Sequence, residues 1–273
     1  MTFVRRRWKT RPERGTSVEW GICVATDKQG EIQTRLASTN HSIIKAIIEQ
    51  SPNSVLDIGC GEGRHSLAAY CLPGVHAVGI DLSPTALATA TERTTDMQCH
   101  APQGEIGFGV GDATRLPIAD NTVDVVIASE ILEHIPNYIL VLEEAMRVLK
   151  PGGKMGISVP RQWPEWVCWW LSEGYRTTPG GHIRIFDATH LCREVERLGF
   201  VCDGRDSAHA LHVPYWWLKC LFWRREQEPW LVKTYHRLLV WDLMEKPWLT
   251  RAIDALLNPF MGKSIILYFT KPA

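Results

Sequence analysis

The chain has 273 residues, of which 45% are hydrophobic and 22% charged, enough to bury one large α/β core with an appended subdomain. Thirty basic and thirty acidic side chains cancel, so no global positive field marks a DNA-binding protein, and no run reaches the roughly 20 consecutive apolar residues of a membrane span. The eight cysteines include no CxxC pair, so they are expected to be reduced thiols, no metal centre is expected, and the cytoplasm is the expected compartment.

In chain order, residues 1–38 form an N-terminal region with a basic arm. Arg5, Arg6, Arg7, Lys9, Arg11 and Arg14 cluster with a single acid, Glu13, and no apolar segment of a secretory signal follows. The arm reads as solvated chain, with contact to an anionic membrane surface as the alternative. Residues 16–35 read as a hairpin or an irregular lead-in. A second region, residues 39–273, opens with Ile43, Ile44, Ile47 and Ile48 at helical spacing, ending at Pro52. Strands and helices then alternate, as in a parallel sheet. Strands are predicted at Val55–Ile58, Val75–Ile80, Ile106–Val110, Val123–Ala128, Lys154–Val159, Phe200–Asp203 and Ser264–Phe269. Ser83 and Pro84 are an N-cap and first-turn pair, Pro151-Gly152-Gly153 is expected to end a helix running from Tyr138 to Leu149, and Asp187 to Leu198 reads as another helix.

The most informative segment is Val55-Leu56-Asp57-Ile58-Gly59-Cys60-Gly61-Glu62-Gly63, an apolar strand running into a glycine-rich turn. Glycines there let a nucleotide-like ligand approach the backbone. A dinucleotide fingerprint places its third glycine one residue later, where this chain has Arg64, which argues against a nicotinamide-dependent reductase. Asp81 ends the next strand, about where a carboxylate binds ribose hydroxyls.

Together with Val78-Gly79-Ile80-Asp81, Gly111-Asp112-Ala113, Asp124 to Ser129, Leu132-Glu133-His134-Ile135 and Leu149-Lys150-Pro151-Gly152-Gly153, this segment resembles the successive motifs of class I S-adenosylmethionine-dependent methyltransferases of the small-molecule type, over roughly residues 40–160. The resemblance implies a Rossmann-like, doubly wound, seven-stranded sheet, mostly parallel with its last strand antiparallel, and S-adenosylmethionine as cofactor. It assigns Asp57, Gly59, Cys60 and Gly61 to the loop at the methionine end, Asp81 and Leu82 to the ribose side, and Asp112 and Ala113 to the adenine edge. It turns Ser129 and Glu130 toward the methyl group.

Ten of the 12 tryptophans lie after Pro160 and fall in two predicted helical insertions, residues 161–181 and 207–262. In a doubly wound sheet both would flank the carboxyl edge, where substrates enter, as a lid. They could equally close a subdomain core. Trp163, Trp166, Trp169 and Trp170 repeat at helical spacing, and Pro214 to Lys219 is followed by Arg224 and Arg225, an apolar stretch with basic flanks. That composition suits a greasy acceptor pocket or a helix at a membrane surface. The expected acceptor is therefore a small hydrophobic molecule such as a lipid, terpenoid, quinone or aromatic metabolite. Alternatives are a polar metabolite, RNA or protein as acceptor, or a catalytically silent scaffold of a membrane-associated pathway. Neither the polar-Pro-Pro-aromatic motif of amino-methylating nucleic-acid enzymes nor a Pro-Cys nucleophile is found, and DNA is not an expected partner.

Candidate catalytic residues are Glu130, His134 and His182. Gly180-Gly181-His182-Ile183-Arg184 reads as an extended segment placing His182 and Arg184 on one side, with Asp187 as an alternative partner for Arg184. A histidine at 182 could take the proton shed by a hydroxyl acceptor. The alternative for His134 is a packed, hydrogen-bonded histidine.

Overall fold

The computed structural model describes residues 52–96, 104–225, 227–245 and 247–273. The basic arm, the candidate hairpin and the helix around Ile43 to Ile48 lie outside the described residues. A seven-stranded sheet runs through the molecule: β1 (Ser54–Ile58), β2 (His76–Asp81), β3 (Ile106–Val110), β4 (Val123–Ser129), β5 (Leu149–Pro160), β6 (Val201–Ala208) and β7 (Ser264–Thr270). The order across it is β3-β2-β1-β4-β5-β7-β6, and β7 runs antiparallel to both β5 and β6 while the other pairs are parallel. This is the doubly wound, seven-stranded sheet that the motifs imply, with the chain reversing direction across the sheet between β1 and β4.

Helices cover both faces. Between β1 and β2 runs α1 (Arg64–Tyr70), and α2 (Pro84–Asp96) precedes β3. Ser83 caps α2 as its sequence predicts, the Oγ accepting from the Ala86 amide at 3.2 Å. After β4 come α3 (Tyr138–Val148), then α4 (Gln162–Leu171) and α5 (Glu173–Arg176) beyond β5, and α6 (Ala188–Arg197) before β6. Three helices separate the last two strands: α7 (His212–Leu221), α8 (Trp230–Glu245) and α9 (Trp248–Met261).

Strand alternation sorts the core into two layers. Leu56 and Ile58 of β1 pack with Val126, Ile157 and the buried side of α3, including Val141, Leu142 and Ala145. Val55, with Val125 and Ile127, faces Leu67, Ala69 and Tyr70 of α1. Every residue of β1 is buried, as the central strand of a parallel sheet requires.

Some boundaries differ from the sequence reading. The helix from Tyr138 stops at Val148, and Leu149 to Gly153 already belong to β5, whose pairing with β4 is irregular between Val123 and Val125. The predicted stop at Pro151-Gly152-Gly153 is thus an irregularity within the strand, with Gly152 at φ 77°. β6 continues to Ala208 because β7 pairs with it along its whole length. Cys71 is disulfide-bonded, against the expectation of reduced thiols throughout, whereas Cys60, Cys168, Cys192, Cys202 and Cys220 are free. Linear spacing alone did not reveal that pairing.

Candidate active site

The C-terminal ends of β1 to β4 converge on one edge of the sheet. The glycine turn after β1 is tied down by its own amides. Those of Gly59 and Cys60 donate to the Ile80 carbonyl at 2.7 and 3.1 Å, that of Gly61 donates to Asp81 Oδ2 at 2.8 Å, and that of Gly63 donates to the Cys60 carbonyl. Four loop amides are thereby spent on protein acceptors. A dinucleotide-binding turn uses such amides for a pyrophosphate; this turn instead sets a carboxylate beside its backbone, which suits a cofactor without phosphate.

The two central glycines have different reasons to be glycine. At Gly59 (φ +68°) a Cβ would lie 2.1 Å from Ile131 Cδ1, so the turn packs directly on the residue after Glu130. At Gly61 (φ +51°) a Cβ would meet no atom within 4 Å. The backbone at 61 therefore borders open space, bounded on one side by Asp81. The Asp81 carboxylate accepts from Gly61 N and, through Oδ1, from Ser83 N at 2.8 Å. Each oxygen keeps a lone pair for a further donor such as a ribose hydroxyl. Leu82 beside it is 69% exposed, an apolar surface suited to a flat ring. The exposed Asp112 is held by Thr114, whose amide and hydroxyl both donate to Oδ1 at 2.8 Å, next to the buried Ala113. Open backbone at Gly61, a two-oxygen acceptor at Asp81 and an exposed leucine fit an adenosyl group.

Asp57 and Cys60 stand behind the turn. Asp57 is buried, and its Oδ2 accepts from the Ser66 amide at 3.0 Å and the Ser66 hydroxyl at 2.7 Å, fastening the start of α1 to β1. Burial pushes its carboxyl up to about 6, against the Ser66 bonds. Burial also raises the Cys60 thiol, whose sulfur would lie 2.7 Å from a Cβ at Gly79 and so fills the space that glycine leaves. Arg64, at the position of the missing third glycine, is the first residue of α1.

The chain leaves β4 through Glu130, a non-glycine residue at φ 52°. Ser129 Oγ lies 2.8 Å from Ser158 Oγ of the neighbouring strand, and Ser158 Oγ donates to Glu130 Oε1 at 3.1 Å. Glu130 Oε2 is 4.0 Å from Lys263 Nζ, immediately before β7. Glu133 is fully buried, with no hydrogen-bond partner for either carboxylate oxygen, and burial followed by the charge of Glu130 pushes its carboxyl far up. His182 Nε2 is 3.9 Å from Glu133 Oε1, while its Nδ1 lies 2.7 Å from Glu165 Oε1. The Tyr175 hydroxyl donates to that same Glu165 oxygen at 2.9 Å. Burial would raise the Glu165 carboxyl, but the bond and charge of His182 hold it below its ordinary value. His134 packs edge-on to His182, ring centroids 5.0 Å apart, with Nδ1 3.2 Å from the Gly181 carbonyl; burial, then His182, lowers its pKa.

The three candidate catalytic residues thus meet in one cluster, but Arg184 does not join them. Its guanidinium donates to the Pro136 carbonyl at 2.6 Å and stacks 4.7 Å over Tyr138, while Asp187 caps α6. The sequence reading missed Glu165, Tyr175, Lys263 and Ser158. One signal was legible: Glu165 is an acid inside a tryptophan-rich helix, and it is only 3% exposed. Ser158 is the register partner of Ser129 across β4 and β5, a relation no linear spacing displays.

Beyond His182 lies an aromatic wall. Tyr175 contacts His182 at 6.1 Å, Trp216 at 6.0 Å and Trp223 at 5.4 Å, centroid to centroid, and Lys263 Nζ sits 5.4 Å over the Trp216 ring. The buried side of α4 is Pro164, Glu165 and Cys168, so Trp163, Trp166 and Trp170 face outward, at 42%, 61% and 84% exposure. A subdomain core made of those tryptophans is not what forms.

Residues 56–157 match a family model described as a methyltransferase domain. The chain is 34% identical over 114 residues to a demethylmenaquinone methyltransferase of Listeria monocytogenes, covering 41% of this chain and 46% of that protein. It is 32% identical over 130 residues to phosphoethanolamine N-methyltransferase 1 of Arabidopsis thaliana, covering 48% and 26%. The matched segment thus spans from about a quarter to half the length of these curated relatives. Among solved structures, a SAM-dependent methyltransferase from Methanosarcina mazei superposes with TM-score 0.57 at 16% identity, covering 85% of this chain and 98% of that one. The [4+2]-cyclase SpnF superposes with TM-score 0.56 at 19% identity, covering 85% and 81%, so the shared fold does not by itself fix the reaction. Motifs, strand order and family match thus agree on a methyltransferase domain over residues 56–157, set in a sheet with the class I S-adenosylmethionine-dependent fold.

Proposed function

We propose that this protein transfers a methyl group from S-adenosylmethionine to a small hydrophobic acceptor, such as a lipid, terpenoid, quinone or aromatic metabolite. When bound, S-adenosylmethionine supplies a methyl on a sulfonium sulfur, already activated for in-line displacement by an acceptor lone pair. The protein's part is to align the acceptor and exclude water. Gly59, Gly61, Asp81, Leu82, Asp112 and Ala113 hold the cofactor, with Asp57 and Cys60 bracing the turn, and Ser129 and Glu130 mark the side from which the acceptor approaches. A proton shed by a hydroxyl acceptor is taken up in the adjoining cluster, where His182, fixed through Nδ1 by Glu165, presents Nε2 as the candidate base; His134 packs against it.

The observation that carries the acceptor class is the unbroken path from Glu130 through Lys263 to the Trp216 ring, continued by Tyr175 and Trp223. Aromatic surface joined to the reacting edge favours an apolar acceptor. No helix among the described residues is long and apolar enough to cross a membrane. Exposed Leu249, Ile253, Leu256 and Phe260 form a stripe along α9, which supports peripheral contact with a lipid surface as the route to such an acceptor. The test is transfer of a labelled methyl group from S-adenosylmethionine into host-cell extract, partitioned into organic, aqueous and macromolecular fractions. Label in the organic phase supports the proposal; label confined to the other two refutes the hydrophobic acceptor.

A further inference from the structure

The Glu133, His134 and His182 cluster has a property that methyl transfer does not require. Glu133 is fully buried, yet neither of its oxygens has a hydrogen-bond partner. A buried carboxyl group with neither oxygen hydrogen-bonded is an exception in a folded core and points to a partner that the protein atoms do not supply. Glu130, Glu165 and Lys263 are the charged groups that act on it, and two imidazoles, each already oriented from behind, lie beside it. The Gly181 carbonyl can only accept, so His134 Nδ1 carries the hydrogen in their 3.2 Å contact and Nε2 is left with its lone pair. His182 Nδ1 likewise donates to the Glu165 carboxylate at 2.7 Å, which turns Nε2 toward Glu133 Oε1, 3.9 Å away. One ligand atom from each of Glu133, His134 and His182 lies within 4.8 Å of the other two, a spacing that one ion between them can satisfy.

We propose that Glu133, His134 and His182 bind a divalent transition-metal cation such as zinc. Two imidazole nitrogens and one carboxylate oxygen suit a borderline cation of that class and leave coordination positions for water or substrate. The contacts behind the ligands match what such a site needs. Glu165 and the Gly181 carbonyl fix the tautomers of the two histidines, and the Tyr175 hydroxyl in turn holds Glu165 at 2.9 Å. The main-chain bond from Ile183 N to the Glu133 carbonyl, 3.0 Å, ties the segment carrying His182 to the one carrying Glu133 and His134.

The site adjoins Glu130, on the side where the acceptor enters. If the methyl-transfer reading holds, and this consequence rests on it, an acceptor hydroxyl occupies an open position on the cation. Coordination lowers its pKa, the oxygen's electron pair forms the new bond to the methyl carbon as the sulfonium carbon–sulfur bond breaks and leaves its pair on sulfur, and the proton leaves to Glu130. His182 is then a ligand rather than the base.

The experiment is titration of chelator-treated full-length protein with zinc chloride alone, by calorimetry, alongside Glu133→Gln, His182→Ala and Glu165→Gln. Glu133→Gln is nearly isosteric and replaces one unpartnered polar group by another, so it should fold much as the parent does, which separates loss of binding from loss of structure. The expected result is one saturable site in the parent protein, absent from Glu133→Gln and His182→Ala, and weakened about 10- to 100-fold in Glu165→Gln. No saturable binding by the parent, or binding by Glu133→Gln and His182→Ala as tight as the parent's, would overturn the proposal. S-adenosylmethionine binding to the parent is measured in parallel, so failure of the metal site and failure of the methyltransferase reading give different results.

Discussion

Replacing Gly59 and Gly61, one at a time, by alanine separates a glycine kept for packing from one kept for a ligand. Both have positive φ, so either alanine carries left-handed strain of about 1–2 kcal/mol. At position 59 the new methyl would stand 2.1, 2.9 and 3.1 Å from Ile131 Cδ1, Cγ1 and Cβ, so the whole side chain must move rather than its tip alone. Overpacking of that kind adds about 1–3 kcal/mol, for a total loss of about 2–5 kcal/mol. At position 61 no atom lies within 4 Å, so the strain stands alone. Urea unfolding should therefore place Gly61→Ala about 1–2 kcal/mol below the parent and Gly59→Ala about 2–5 kcal/mol below it. Calorimetric titration with S-adenosylmethionine should show a disproportionate loss for Gly61→Ala, at least about tenfold or 1.4 kcal/mol, because the methyl enters the space assigned to the cofactor. If Gly61→Ala binds as tightly as the parent, the open side of the turn is not the cofactor cradle.

Three further outcomes follow from the same geometry. Asp81→Ala should weaken S-adenosylmethionine binding by on the order of 1–3 kcal/mol while NADH gives no signal with either protein; unchanged affinity in equilibrium binding would remove Asp81 from the ribose site. Asp57 has its pKa raised from 3.8 to about 6 by burial, so the folded state keeps a proton that the unfolded state has released. Its stabilising contribution is complete below pH 3.8 and is lost as pH rises through 6, about 3 kcal/mol in all; unfolding free energies from pH 4 to 7 should fall relative to Asp57→Asn, and parallel profiles would contradict the assignment. Trp216→Ala should raise KM for the acceptor several-fold with S-adenosylmethionine affinity unchanged; an unaltered acceptor KM would detach the aromatic wall from the acceptor.

The cofactor half of the fold was legible because its motifs are local. Asp81 and the glycine turn announce themselves by strand alternation followed by turn residues, and the sheet order rests on motifs whose succession is written in the chain. What escaped was whatever the sheet brings together from afar. Lys263 lies more than a hundred residues from Glu130 and meets it only across the folded sheet, and Glu165 and Tyr175 reach His182 only because α4 and α5 pack beside its segment. Arg184 was placed with His182 by alternation, but the segment does not stay a strand, and the arginine turns to Pro136 and Tyr138. In α4 the helical repeat was real, but three of its four tryptophans, Trp163, Trp166 and Trp170, are exposed. Glu165 and Cys168 take the inner side, where His182 and Tyr175 hydrogen-bond to the Glu165 carboxylate.

The most direct test of the account is a crystal structure of the full chain grown with S-adenosylhomocysteine. The ribose hydroxyls should lie within hydrogen-bond distance of Asp81, the backbone at Gly61 should border the ligand, and the sulfur should point toward Glu130 and the Trp216 side. A ligand bound elsewhere, or one whose sulfur faces away from Glu130, would contradict the assignment of the reacting edge.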